Sequence, residues 1–247
     1  QETHVKTLVR SIGRSDIGGE PLPSVFKTFD ANKIIFRRAE VSMLAGVPGV
    51  GKSTLALALA LKMRVPTLYI SADTNAHTMA MRIASMISGK NQTDVELLMA
   101  NDVGWTKAIL EKSNHIVWSF DSSPTLQDID EEVQAFEEQW GCPPTAIFVD
   151  NLMDIATDGG EEFASMRAIM KELKYLARAT NAAIISALQG KVAQLPALIC
   201  TLGVVGTSMA VAPVKNRYGR ADANANLTCW LSFNPEYMYM EDIPENG

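Results

Sequence analysis

The sequence predicts an α/β fold: a mostly parallel, twisted sheet flanked by helices and extended at its C-terminal end by antiparallel hairpins. Three observations carry that expectation. A glycine-rich loop, Gly46-Val47-Pro48-Gly49-Val50-Gly51-Lys52-Ser53, lies between an apolar run at Val41–Ala45 and strong helix formers at 54–62. From residue 34 onward, short apolar runs alternate with amphipathic stretches, the pattern of strand–helix–strand units. After residue 197 four short strand candidates follow one another with turn residues between them.

Residues 1–30 read as an arm. Val5, Leu8, Val9 and Ile12 fall on one face of a helix, and 13–24 is rich in Gly, Pro and Ser, a linker composition. The domain proper is expected over 31–247. Val41–Ala45 is its first buried strand and 66–72 its second. Thr74 or Asn75 caps a helix at Ala76–Ser88. A strand at 115–120 follows. Leu126–Trp140 is an amphipathic helix with Ile129, Val133, Phe136 and Trp140 on one side, and its acids read as a solvated face. Residues 146–149 form a short strand. Phe163, Met166, Met170, Leu173 and Ala177 mark the buried side of a further helix, and 182–188 is again a strand. The hairpin strands are 197–202, 209–214, 227–233 and 237–241. A stretch of chain is expected to be absent at two junctions, the first of which lacks turn chemistry. At 188–189 a short helix starts directly after a strand; the other lies at 203–208.

Bulk properties narrow the function. The chain has 247 residues, 47% hydrophobic and 20% charged, which fits one large globular domain with an appendage and excludes wholesale disorder. Twenty-two basic against 28 acidic residues give a net charge of −6, which excludes a strongly basic coat. Any contact with nucleic acid must come from a local patch or from a ring of subunits. Cys142, Cys200 and Cys229 are widely spaced, as are His4, His77 and His115, and neither set suggests a disulfide framework or a metal site. No stretch approaches the roughly 18 apolar residues that span a bilayer, and no signal-peptide pattern opens the chain. A cytoplasmic location is expected.

The loop chemistry is specific. Glycines let the backbone turn its N–H groups toward phosphate oxygens, and the following helix N-terminus adds partial positive charge. Residues Gly46 to Thr54 are read as nucleotide-binding, with Lys52 reaching the β- and γ-phosphates and the Ser53 hydroxyl on Mg²⁺. Asp150 ends the strand at 146–149, so it points into the same crevice and is read as the second contact to Mg²⁺ or Mn²⁺. A water-activating acid is also required. Asp73, at the tip of the strand after the loop helix, is the first candidate. Asp154 competes with it, and Asp121 also ends a strand. Near the C-terminus, Lys215 and Arg217 alternate across one residue, so on a strand both point to one side. Two cations aimed together suit a phosphoryl clamp, whereas taken alone they read as a solvated hairpin tip.

These motifs resemble the RecA-like P-loop ATPase domain of DnaB-type replicative helicases, most closely the small single-domain versions of bacteriophages. The resemblance is carried by A-G-V-P-G-V-G-K-S-T-L-A-L, by L-Y-I-S-A-D-T-N-A-H-T-M-A-M-R-I, by I-F-V-D-N-L-M-D-I, by L-K-Y-L-A-R-A-T-N-A-A-I-I-S-A-L and by V-A-P-V-K-N-R-Y-G, together spanning about residues 34 to 241. It implies a DNA-dependent ATPase that forms a ring, usually a hexamer, on single-stranded DNA in phage replication or recombination, inside the bacterial host cell. It implies Asp73 as the catalytic acid, although the family usually has Glu there, one methylene longer. Lys215 and Arg217 would act on the neighbouring subunit's ATP. Gln189 is the candidate for the family's polar sensor. With the family's separate N-terminal domain not expected here, residues 1–30 are assigned as the linking arm. Lys191 is a candidate DNA contact, and Arg82 reads as a surface residue. Two other readings stand beside this one: a metal-dependent DNA nuclease or strand-exchange protein on the same fold, and a nucleotide-switched binding module.

Overall fold

The computed structural model describes residues 19–152, 162–189 and 195–245, with side chains from 166 onward in the second segment. The chain enters through a short helix, α1 (Lys27–Ala31), and a strand, β1 (Val41–Ala45), that delivers the glycine-rich loop. Then come α2 (Lys52–Met63), β2 (Thr67–Ser71) and three helices, α3 (Ala76–Ser88), α4 (Gln92–Asn101) and α5 (Val103–Glu111). The alternation continues through β3 (Ile116–Ser119), α6 (Leu126–Trp140), β4 (Ala146–Asp150), α7 (Glu162–Thr180) and β5 (Ala183–Leu188). Four further strands follow: β6 (Leu198–Val205), β7 (Ser208–Asn216), β8 (Cys229–Asn234) and β9 (Tyr239–Asp242), with a 3-10 turn at Pro235–Tyr237 before the last.

All nine strands share one sheet, in the order β3-β2-β4-β5-β1-β6-β7-β8-β9. The first six in that order are parallel, and β7 to β9 add antiparallel to one another along the β6 edge. Every residue of β1, β2, β4 and β5 is buried, as continuous apolar runs covered on both faces should be. On one face, Leu55, Leu57 and Leu59 of α2 pack with Tyr69, Phe148 and Phe233. On the other, Ile129 and Phe136 of α6 and Met170 and Leu173 of α7 cover Leu68, Ile147 and Ile184. The predicted α/β class and the hairpin extension are both present.

Three local expectations change, and one open choice is decided. Residues 89–114, to which the pattern assigns no element, fold as α4 and α5. Asn91 and Asp102 cap them, accepting from the amides of Asp94 and Trp105 at 2.8 and 2.9 Å. Each helix buries a single anchor, Val95 or Ile109, so neither writes an apolar stripe into the sequence. Of the two cap candidates before α3, Asn75 does the work, accepting from Thr78 N–H at 2.9 Å. No stretch is absent at 203–208: Val205 pairs with Ser208, and Gly206, at φ 60°, supplies the left-handed residue of a two-residue hairpin turn. At the other junction β5 ends at Leu188 and Gln189 is in no strand. The helix expected after Gln189 falls in 190–194, outside the described residues.

The third change concerns the arm. Residues 19–30 are part of the packed domain, with Leu22, Phe26 and Phe29 in the core. Phe26 and Phe29 meet edge to face at 5.1 Å. α1 has no side-chain cap of its own; Asp242 of β9 supplies one, accepting from the amides of Lys27 and Thr28 at 2.9 and 3.1 Å. A five-residue helix in a Pro- and Ser-rich setting shows no period, so the sequence gives no sign of this packing. Val5, Leu8, Val9 and Ile12 lie outside the described residues. Phe26→Ala is expected to destabilise the domain by about 3–5 kcal/mol, measured by urea denaturation; a loss under about 1 kcal/mol would place this segment outside the folding unit.

Candidate nucleotide-binding site

The C-terminal tips of β1, β2 and β4 meet at one end of the sheet, because β2 lies beside β4 and only β5 separates β4 from β1. A cleft of about 400 Å³ opens there. Its floor is the glycine-rich loop. α2 begins at Lys52, two residues before the helix run expected from the sequence, with Gly51 as N-cap at φ 100° and no side-chain cap. Its first amides are therefore not taken by a capping side chain, the arrangement that suits an anion. A Cβ on Gly51 would stand 2.6 Å from Met209 Cε and 2.9 Å from Phe233 Cζ, so the loop is pressed against β7 and β8 and only glycine fits. Lys52 is 9% exposed, and its Nζ donates to the Gly46 and Val47 carbonyls, both at 2.8 Å. Burial lowers the pKa of this ammonium, while the charges of Asp150 and Asp73 oppose the shift.

Asp150 ends β4 and is 3% exposed. It accepts from the Ser53 hydroxyl and, at 3.4 Å, from the Tyr69 hydroxyl. Tyr69 is fully buried and stacked on Phe148 with ring centroids 5.4 Å apart. Burial pushes the Asp150 carboxyl up to about 6, with the Asp73 charge adding to the rise and Ser53, Arg82 and Tyr69 drawing it down. Asp73 lines the cleft from the tip of β2 and accepts from the Thr74 hydroxyl at 3.2 Å. Arg82 also lines the cleft, donating through Nη1 to Thr74 Oγ1 at 3.2 Å. The surface reading of Arg82 is thus corrected: α3 leaves directly from the β2 tip, and a long side chain on it leans back toward the helix N-terminus. Asp121 lies past the outer edge strand, accepts from Ser123 N–H at 3.0 Å, and does not line the cleft. Asp154 and Lys191 fall outside the described residues. Gln189, one residue beyond β5, lines the cleft, as does Asn151, which follows Asp150 through a cis peptide.

The sequence reading missed one wall. Phe233, Pro235 and Met238, from β8 and the turn after it, also line the cleft. Gln92 Nε2 ties this wall to α4 through the Pro235 carbonyl at 2.9 Å. No local signal marks these residues, since their position depends on the hairpin returning across the sheet.

Lys215 and Arg217 lie at the opposite end of the sheet. Asn216 pairs with Leu198, and Leu198 with Ser42 near the start of β1. The Arg217 amide extends that ladder, donating to Ala197 O at 2.8 Å. Roughly 15 Å of strand separates this level from the loop, and neither cation lines the cleft. Burial lowers the pKa of Lys215, and the charges of Arg217 and Lys174 lower it further. Arg217 is paired with Glu40 at 3.1 Å.

Among the described residues no group of three or more His, Cys, Asp or Glu side chains is placed to hold a metal ion. The Ser53 hydroxyl beside the Asp150 carboxylate is a pair of hard oxygens. That set fits Mg²⁺ shared with a nucleotide's phosphates rather than a metal held by protein alone, and it gives no support to nuclease chemistry.

A family model, AAA_25, described as an AAA domain, matches residues 32–191, a span that contains the loop and the tips of β1, β2 and β4. The chain belongs to the AAA_25 family. This AAA_25 protein is 28% identical over 253 residues to the Gene 65 protein of Mycobacterium phage L5, covering 91% of this chain and 94% of that protein. It is 29% identical over 231 residues to the Gene 65 protein of Mycobacterium phage D29, covering 79% and 96%. Among solved structures, a DnaB-like replicative helicase matches its fold with a TM-score of 0.79 at 17% identity, over 99% of this chain and 67% of that one. A separately solved ATPase domain gives the same TM-score, 0.79, at 16% identity, over 98% of each chain. A KaiC-like protein of Pyrococcus horikoshii follows at 0.64 and 16% identity, over 92% and 100%. The AAA_25 chain therefore has a RecA-like ATPase fold of DnaB type. No helix among its described residues is long and apolar enough to cross a membrane.

A carboxyl whose folded pKa lies above its unfolded value binds its proton more tightly in the folded state. Stability is therefore lost as pH rises from about 4 through about 6, the interval between the ordinary and the raised value of Asp150. In the metal-free protein Asp150→Asn is expected to raise stability at pH 7 by up to about 3 kcal/mol, with the gain shrinking toward zero near pH 4. Thermal unfolding of both proteins across pH 4–7 checks this; a pH-independent difference would show that burial of this charge is not its source.

Proposed function

We propose that the chain is a ring-forming, DNA-dependent ATPase that works as a helicase or translocase on single-stranded DNA, in phage replication or recombination within the cytoplasm of a bacterial host. The amides of the loop from Gly46 to Thr54 and Lys52 bind the triphosphate, and Ser53 and Asp150 would hold Mg²⁺. That ion, when bound, neutralises charge on the phosphates. Asp73 orients a water and takes its proton as the water oxygen attacks the γ-phosphorus, and the β–γ bridging oxygen leaves with ADP. Arg82 sets the charge balance between the two acids, and Gln189 senses the γ-phosphate from the tip of β5. Phe233 and Met238 form the apolar wall for the base. Because Asp73 is one methylene shorter than Glu, turnover is slow without DNA. Net charge −6 means that DNA is held by contacts summed over several subunits.

One observation carries the proposal: the acids and Lys52 share a cleft at one end of the sheet, whereas Lys215 and Arg217 are at the other. Cations held that far from their own loop serve a neighbour's nucleotide. Repeating such a head-to-tail contact closes a ring.

Lys52→Ala and Arg217→Ala proteins should each lose ATP hydrolysis by at least about 100-fold, the scale of lost transition-state charge stabilisation. Mixed together they should recover part of it, because an intact loop then faces an intact cation. The wild-type rate should rise several-fold with single-stranded DNA. Failure to recover at any mixing ratio, with both variants still oligomeric, would remove the shared site; a rate indifferent to DNA would leave a nucleotide-switched module instead.

A further inference from the structure

We infer that Glu40 is the positioning residue for Arg217, holding its guanidinium in the orientation it presents to the neighbouring subunit. The inference rests on the trans-acting role proposed above. Glu40 immediately precedes β1, and its backbone is fixed to the edge of β5: Ile184 N–H donates to the Glu40 carbonyl at 3.0 Å, and Ala39 N–H to Ala182 O at 2.9 Å. Its side chain is 14% exposed. Both carboxylate oxygens face Arg217 Nη1, at 3.4 and 3.1 Å. Oε1 also accepts from the Tyr218 hydroxyl at 2.5 Å. The Tyr218 ring is itself braced, with the Arg37 guanidinium 5.2 Å and the Arg217 guanidinium 6.0 Å from its centroid.

An ion pair whose arginine keeps a third of its surface in water contributes little to stability, so stability alone is a weak reason for so elaborate a setting. Orientation is a better one. Nη1 carries two of the guanidinium's five N–H donors, so three are not spent on Glu40. The Arg217 side chain is still 35% exposed, open to a second anion. A long, flexible side chain fixed before it meets a phosphoryl group avoids the ordering cost at that moment. Because Glu40 and Arg217 are at the far end of the sheet from their own loop, a fault in Glu40 should appear in the neighbour's active site.

The test is subunit mixing. Glu40→Ala alone should lower kcat for ATP by about tenfold or more, the scale of a misplaced catalytic group, with KM changed by less than about twofold. Mixed with Lys52→Ala protein, whose Glu40 and Arg217 are intact, it should recover several-fold. Tyr218→Phe, which removes only the hydroxyl that braces Glu40, should show a smaller loss of the same kind, and should Glu40→Ala fail to fold, the mixing is decided with Tyr218→Phe. Recovery for Arg217→Ala but none for the Glu40 or Tyr218 variant would overturn the inference and leave the shared site standing. Wild-type kcat in both variants would overturn it too. No recovery for Arg217→Ala either would fell the shared-site reading, and this inference with it.

Discussion

Asp150 is held at 3% exposure at the end of a strand flanked on both sides by other strands, and a carboxylate there is hard to ionise. The cleft is arranged around that difficulty. Hydroxyls of Ser53 and Tyr69 point at the acid, and Lys52 and Arg82 bring positive charge near it. Together they fall short, and burial wins over the hydrogen bonds. An acid left under-compensated in this way has most to gain from a divalent cation, which accounts for a feature that costs stability and is nevertheless built into the centre of the sheet.

The parallel order of the strands does the rest. Parallel strands have distinct ends, and everything that leaves a C-terminal tip is delivered to the same crevice. β7 runs the other way, so the residues at its end are carried to the opposite side of the domain. A sheet with the glycine-rich loop and the acids at one end and guanidinium and ammonium groups at the other is directional. Copies of it placed head to tail have complementary ends.

The strands and the loop were legible because buried parallel strands are unbroken apolar runs and the loop needs particular residues at particular places. Asp73 and Asp150 were legible for a related reason: each directly follows such a run, as Asp121 also does, and only the strand order tells them apart. Arg82 was not, because its place in the cleft depends on how α3 leaves β2, which a cap one residue long decides. α4 and α5 were silent because each fully buries a single residue, too few to write an apolar stripe. Phe233 and Met238 form the cleft wall only through a register set by long-range pairing, and Glu40 is tied to Arg217 by the same ladder. A single chain read from end to end carries no trace of contacts made across so long a sequence separation.

Asp242 caps the first helix, and Phe233 and Met209 support Gly51 of the loop. The first helix and the loop therefore wait for strands that are made after them. Until β8 and β9 emerge, Phe26 and Phe29 lack their cover and the glycine-rich loop lacks its backing. A nascent chain of this protein carries an unfinished pocket until β8 and β9 have followed the loop out of the ribosome.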